Sequence, residues 1–119
     1  MNLFDLLRPE AIKVIGDVSS KKRLMQNLSE HAEQAYGINA NVSLQALLDR
    51  ESLGPTGVGQ GVALPHARIH DLASVSGVFM LLEKPIDFGA VDRQPVDLVL
   101  CLFAPEAAGV EHLKALALV

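Results

Sequence analysis

Apolar residues along this chain recur with two different periods, and the changes between them mark out its elements. Between Ser20 and Tyr36, the positions Leu24, Leu28, Ala32 and Ala35 step by three or four, the spacing of one helix face. Ser20 is suited to cap the start of this helix and Gly37 its end. Leu44, Leu47 and Leu48 form a second stripe, which predicts a helix from about Ser43 to Leu53, stopped by Gly54-Pro55. Ahead of both, Ile12, Val14 and Val18 suggest a short strand interrupted at Gly16-Asp17. Val62 to Ile69 reads as extended, and Pro65 places it at a strand end or a sheet edge, because proline cannot donate to a ladder. Val75 to Leu82 is a β-rich run. Glu83-Lys84-Pro85 is expected to turn it into a short return strand over Ile86 to Phe88. Val96 to Phe103 is almost continuously apolar, the pattern of a central strand covered on both faces. After Ala104-Pro105 a last helix is expected from near Gly109, burying Val110, Leu113, Leu116 and Ala117. This order predicts a single α/β domain with a mixed β-sheet flanked by helices on both faces.

Composition narrows the function classes. Half of the 119 residues are hydrophobic, which separates the chain from disordered sequences. The net charge is −4, and the one basic cluster, Lys21-Lys22-Arg23, reads as the solvated start of a helix. Nucleic acid is therefore not an expected partner. No apolar stretch approaches the ~20 residues of a membrane span, and the first residues lack a signal-peptide pattern. The expectation is a soluble, cytoplasmic protein with no membrane insertion. The single cysteine, Cys101, lies in the apolar run and reads as a core residue.

Four histidines could carry chemistry: His31, His66, His70 and His112. His31 reads as a helix surface residue, and His70, before Asp71, as a solvated turn residue. His66 follows a glycine-rich loop and a proline, where a loop meets a strand, and functional side chains favour such places. In an extended stretch His66 and Arg68 share a face, so a phosphoryl group on His66 would find a cation beside it. On spacing alone, a histidine that merely ends a sheet edge fits equally well. Glycines let backbone N–H groups approach an anion, so Gly57, Gly59 and Gly61 are candidate phosphate contacts. Gly57-Val-Gly-Gln-Gly61 is neither a dinucleotide fingerprint nor a Walker A loop, and it precedes a strand where those motifs follow one. A plain tight connection explains the loop as well. His112, in the first turn of the last helix, could donate toward a neighbouring site or simply be solvated.

Residues 47–68, Leu-Leu-Asp-Arg-Glu-Ser-Leu-Gly-Pro-Thr-Gly-Val-Gly-Gln-Gly-Val-Ala-Leu-Pro-His-Ala-Arg, resemble the signature of phosphotransferase-system IIA domains of the fructose/mannitol type. They look closest to the nitrogen-regulatory branch. The resemblance continues through Phe88-Gly-Ala-Val-Asp-Arg-Gln-Pro-Val-Asp97 and Glu111-His-Leu-Lys114, and so spans essentially residues 1–119. It implies that His66 accepts the phosphoryl group and that His112 stabilises it. It also implies that Arg50 contacts phosphate and that Thr56 lies near the site. Ala67 stands where glycine is commoner, and the family's further helical sequence after the His112 helix is absent.

The resemblance implies a phosphohistidine carrier charged by an HPr-type phosphocarrier protein. Its onward partners would be regulatory target proteins or, in a sugar-specific variant, a IIB domain. It implies no metal and no cofactor. A reading from another class is a small metal-dependent hydrolase built on His66, His70 and His112. Histidines four apart suit a metal when they lie on a helix, and Pro65 with its β-like surroundings argues against a helix there.

Overall fold

The structure is a computed structural model that describes residues 7–106. In chain order the elements are β1 (Leu7–Ile15), α1 (Lys21–Tyr36), α2 (Ala40–Ser52), β2 (Gly57–Gly59), β3 (Val62–Ala63), β4 (His66–Ile69), β5 (Ser76–Ile86) and β6 (Val96–Pro105). Among the described residues the strands form one mixed sheet in the order β1-β5-β6-β3-β2, with β4 also paired to β6. β1 runs parallel to β5, β5 antiparallel to β6, and both β3 and β4 parallel to β6.

α1 forms where the spacing predicts it. The Ser20 hydroxyl accepts from Arg23 N at 3.1 Å, and Gly37 closes the helix in the left-handed region with φ 72°. Losing such an N-cap costs about 1 kcal/mol. Its buried face is Leu24, Met25, Leu28, Ala32 and Ala35. α2 begins three residues before the expected Ser43. Asn39 caps it by accepting from Val42 N at 3.0 Å, and Glu33 of α1 accepts from Ala40 N at 2.9 Å. Ser43 is buried in the first turn, where its hydroxyl donates to the Ala40 carbonyl.

β6 is the central strand that its composition predicts. Val99, Cys101 and Phe103 join the core with α1, while Leu100, Leu102 and Ala104 are buried in a second cluster on the opposite face. Both described helices belong to the first of these cores, α1 packing on β5 and α2 on α1 and β4. The helix expected from Gly109 lies outside the described residues.

Two local expectations change. Glu83-Lys84-Pro85 does not turn the chain, because β5 runs on to Ile86 through an irregularity between Leu81 and Ile86. A bulged stretch leaves residues unpaired and so tolerates the missing N–H of Pro85. The expected return strand is therefore absent, and Ile86 instead ends β5. The Val62–Ile69 run is split at Leu64-Pro65 into β3 and β4. The Pro65 carbonyl still accepts from Leu102 N at 2.9 Å, so the ladder to β6 continues across the break. His66 is the first residue after it.

Candidate functional site

The break before β4 turns His66 toward the C-terminal end of α2, and two hydrogen bonds define its ring. Nδ1 lies 2.8 Å from the Leu64 carbonyl oxygen. A carbonyl can only accept, so Nδ1 carries the proton and a neutral ring keeps its lone pair on Nε2. Nε2 accepts from Arg50 Nε at 3.2 Å. Arg50 also donates from Nη1 to the Gly54 carbonyl at 3.0 Å. It stands in the last turn of α2, where a cation suits the negative end of the helix dipole.

His66, Arg50 and Arg68 line one open groove, together with Asp49, Leu53 and Ala67. Ala67, between the histidine and Arg68, is buried in the core, as strand alternation requires. Leu53 is 83 % exposed at the groove. The pattern of apolar residues assigned it to the second helix and gave no sign that it would be uncovered.

Thr56, Gly57 and Gly61 make bonds to other parts of the chain. Thr56 is 3 % exposed and spends its hydroxyl proton on Glu51 Oε2 at 2.6 Å. Its backbone N–H donates to Glu51 Oε1 at 3.0 Å. Gly57 lies so close to Ala90 that a Cβ would come within 2.7 Å of the Ala90 Cβ. Gly59 and Gly61 have φ of 102° and 79°, which a side chain would strain. The loop carrying them is held against residues 90–98: Val91 N donates to Gly57 O, Gln60 N to Asp92 Oδ2, and Asp97 N and Leu98 N to Gly61 O. The Gln60 and Gln94 N–H groups hold the exposed Asp92 carboxyl below its ordinary value. His112 lies outside the described residues.

The remaining titratable candidates have ordinary explanations. Burial, reinforced by Lys13, lowers the His31 pKa. His70 is exposed beside Asp71 and Glu106, at 3.4 and 3.3 Å. Burial pushes the Cys101 thiol up, which makes it an unreactive core residue. Among the described residues no three His, Cys, Asp or Glu side chains gather as a metal site. The lone pair of His66 faces a guanidinium, a poor neighbour for a metal cation. No helix among the described residues is long and apolar enough to cross a membrane.

The backbone has close counterparts among solved structures. The nitrogen regulatory protein IIA-Ntr from Neisseria meningitidis matches with a TM-score of 0.86 and 37 % identity, over 95 % of this chain and 77 % of that one. The mannitol IIA of Escherichia coli matches in fold, with a TM-score of 0.77 at 24 % identity over 92 % of this chain and 77 % of its own. In sequence, a nitrogen regulatory protein of Bradyrhizobium diazoefficiens is 49 % identical over 98 % of this chain and 76 % of its own length. Fold and sequence thus define a IIA-type component of a phosphotransferase system. Residues 5–119 match the model for "Phosphoenolpyruvate-dependent sugar phosphotransferase system, EIIA 2", and the chain belongs to that family.

Proposed function

We propose that this chain is a phosphohistidine carrier of the nitrogen-regulatory kind. In this reading His66 Nε2 accepts a phosphoryl group from a cytoplasmic HPr-type phosphocarrier protein. The observation that carries the assignment is the His66 ring itself. The Leu64 carbonyl holds the proton on Nδ1, and the opposite nitrogen faces Arg50. A neutral imidazole nitrogen is a competent nucleophile near pH 7.

The step balances without a cofactor. The Nε2 lone pair forms the new N–P bond as the N–P bond of the donor phosphohistidine breaks, and that bond's electron pair stays on the donor's ring nitrogen. His66 keeps its Nδ1 proton and its bond to Leu64. The transition state is loose, with charge spread over the equatorial phosphoryl oxygens, so positioned donors do most of the work. Arg50 releases Nε2 and offers its fork to those oxygens. Arg68 adds a second cation at the groove, and His112 is assigned a further donor. Thr56 and the glycines then shape the loop behind Arg50 and His66, with Thr56 bound to Glu51 and the Gly57 and Gly61 carbonyls bound to the 90–98 segment. Residues 1–119 then belong to one IIA domain. The nitrogen-regulatory likeness favours regulatory proteins over a IIB domain as onward partners.

The test is phosphorylation with phosphoenolpyruvate, enzyme I and an HPr-type carrier. One acid-labile phosphoryl group per chain is expected, lost in His66→Ala and retained in His31→Ala and His70→Ala. Label that survives in His66→Ala would sink the assignment.

A further inference from the structure

Glu51 is a nearly buried carboxylate that the phosphocarrier chemistry does not itself use. Its side chain is 9 % exposed, yet it keeps its place through three donors. Lys21 Nζ lies 2.6 Å from Oε1, and Thr56 supplies its N–H and its hydroxyl at 3.0 and 2.6 Å. Lys21 is in turn seated 4.5 Å above the ring of the fully buried Phe88. Glu51 thus ties the start of α1, the end of α2 and the start of the glycine loop to one point.

From Thr56 the reacting ring is two hydrogen bonds away. The Thr56 carbonyl accepts from Leu64 N at 2.9 Å, and the Leu64 carbonyl is the acceptor for His66 Nδ1 at 2.8 Å. On the other side of the ring, the bond to Nε2 comes from Arg50, the residue next to Glu51. These two hydrogen bonds of the imidazole therefore trace back to adjacent residues on one helix turn. Should Thr56 drift from α2, Leu64 N–H loses its acceptor, and the Leu64 carbonyl is held through its neighbours in β3 and β4. The place of the proton on Nδ1 then rests on the Arg50 donation to Nε2, with a less firmly fixed acceptor on the other side of the ring.

We infer that Glu51, seated by Lys21, is a positioning residue that, through Thr56 and the Leu64 carbonyl, helps Arg50 hold the His66 tautomer. The inference rests on the phosphocarrier reading for its consequence, because only the Nδ1–H tautomer leaves Nε2 able to attack. It does not rest on that reading for its structural content, which the ring nitrogens report without any phosphoryl donor.

The experiment records long-range 15N–1H correlation spectra of 15N-histidine-labelled protein, at a pH where His66 is neutral. Glu51→Ala, Glu51→Gln and Lys21→Met are compared with the wild type. The wild type should show one His66 tautomer, protonated on Nδ1. Glu51→Ala should move the two ring nitrogens toward the shifts averaged over both tautomers, with Arg50 alone opposing the change. Glu51→Gln keeps an acceptor for Thr56 but loses the ion pair with Lys21, and should lie between them. Lys21→Met should shift least. In transfer assays, Glu51→Ala should lower kcat by about tenfold to a hundredfold, the range typical for an outer partner of a functional histidine. KM for the carrier should stay unchanged, because Glu51 does not line the groove. If Glu51→Ala fails to fold, Glu51→Gln and Thr56→Val carry the test, each removing only part of the cluster. Folded Glu51 variants with the wild-type tautomer and kcat would overturn the inference. A wild type that takes no phosphate on His66 would overturn the phosphocarrier reading alone, and the tautomer shift would still uphold the positioning role.

Discussion

Replacing Arg50 with alanine has two consequences for transfer, and they oppose each other. In the resting protein the Arg50 Nε–H occupies the His66 Nε2 lone pair at 3.2 Å. Removing it exposes the nucleophile, a gain of about 1 kcal/mol for a half-buried hydrogen bond, or up to tenfold in rate. In the proposed transition state the same guanidinium faces the phosphoryl oxygens. There, loss of one such donor costs on the order of 2–4 kcal/mol. The second effect wins, so Arg50→Ala should transfer about tenfold to a few hundredfold more slowly. The fold should suffer less. The lost bond to the Gly54 carbonyl, 3.0 Å long, and the lost cation at the end of α2 together amount to about 1–2 kcal/mol at a partly solvated site. Arg50→Lys keeps the charge but cannot span both acceptors with a fork, so it should fall between. Rapid-quench transfer from a labelled carrier, alongside thermal melts, reads both quantities. A folded Arg50→Ala that transfers at the wild-type rate would refute the reasoning and make Arg68 the cation to examine.

Gly57→Ala would place a methyl group 2.7 Å from the Ala90 Cβ and 2.8 Å from its backbone Cα, so denaturant melts should show a loss of about 1–3 kcal/mol. Asp92 has a folded pKa below its unfolded value of 3.8, so its latch on Gln60 stabilises the fold above that value and releases as pH falls through the folded one. The melting difference between wild type and Asp92→Asn should therefore be constant near neutral pH and shrink below about pH 4. For the proposed role of His112, His112→Gln should keep measurable phosphorylation on His66, while His112→Ala should slow transfer or shorten the phosphoprotein's lifetime. Equal rates for His112→Ala and wild type would place that residue outside the mechanism.

What the sequence reveals follows from how local each cause is. α1 is legible at both ends because its signals, Ser20 and Gly37, directly flank the helix in sequence. The start of α2 is less so, because Glu33 reaches it from the preceding helix and Asn39 caps it from a short link. The Glu83-Lys84-Pro85 turn fails because pairing to β6 carries β5 through it, a tertiary effect that overrides local turn chemistry. In the site, spacing alone joins His66 to Arg68, which are two apart on a strand. Arg50 lies 16 residues away, and only the family resemblance pointed to it before the fold did. The glycine loop is ambiguous in sequence for a physical reason. A phosphate cradle and a close backbone approach both require the absence of a Cβ, and only the positions of Ala90, Asp92 and Asp97 reveal the second. Leu64 and Glu51 were not legible at all. One acts through a main-chain carbonyl that any residue could supply, and the other acts through a cluster assembled from three elements.

The central claim is that a phosphoryl group resides on Nε2 of His66. Its most direct test is nuclear magnetic resonance of the 15N-histidine-labelled protein after phosphorylation through enzyme I and an HPr-type carrier. The 15N and 31P signals identify both the histidine and the nitrogen that carry phosphorus. The account predicts a single phosphohistidine, at His66, with phosphorus on Nε2 and the proton still on Nδ1. Phosphorus on Nδ1 of His66, or on any other histidine, would contradict it.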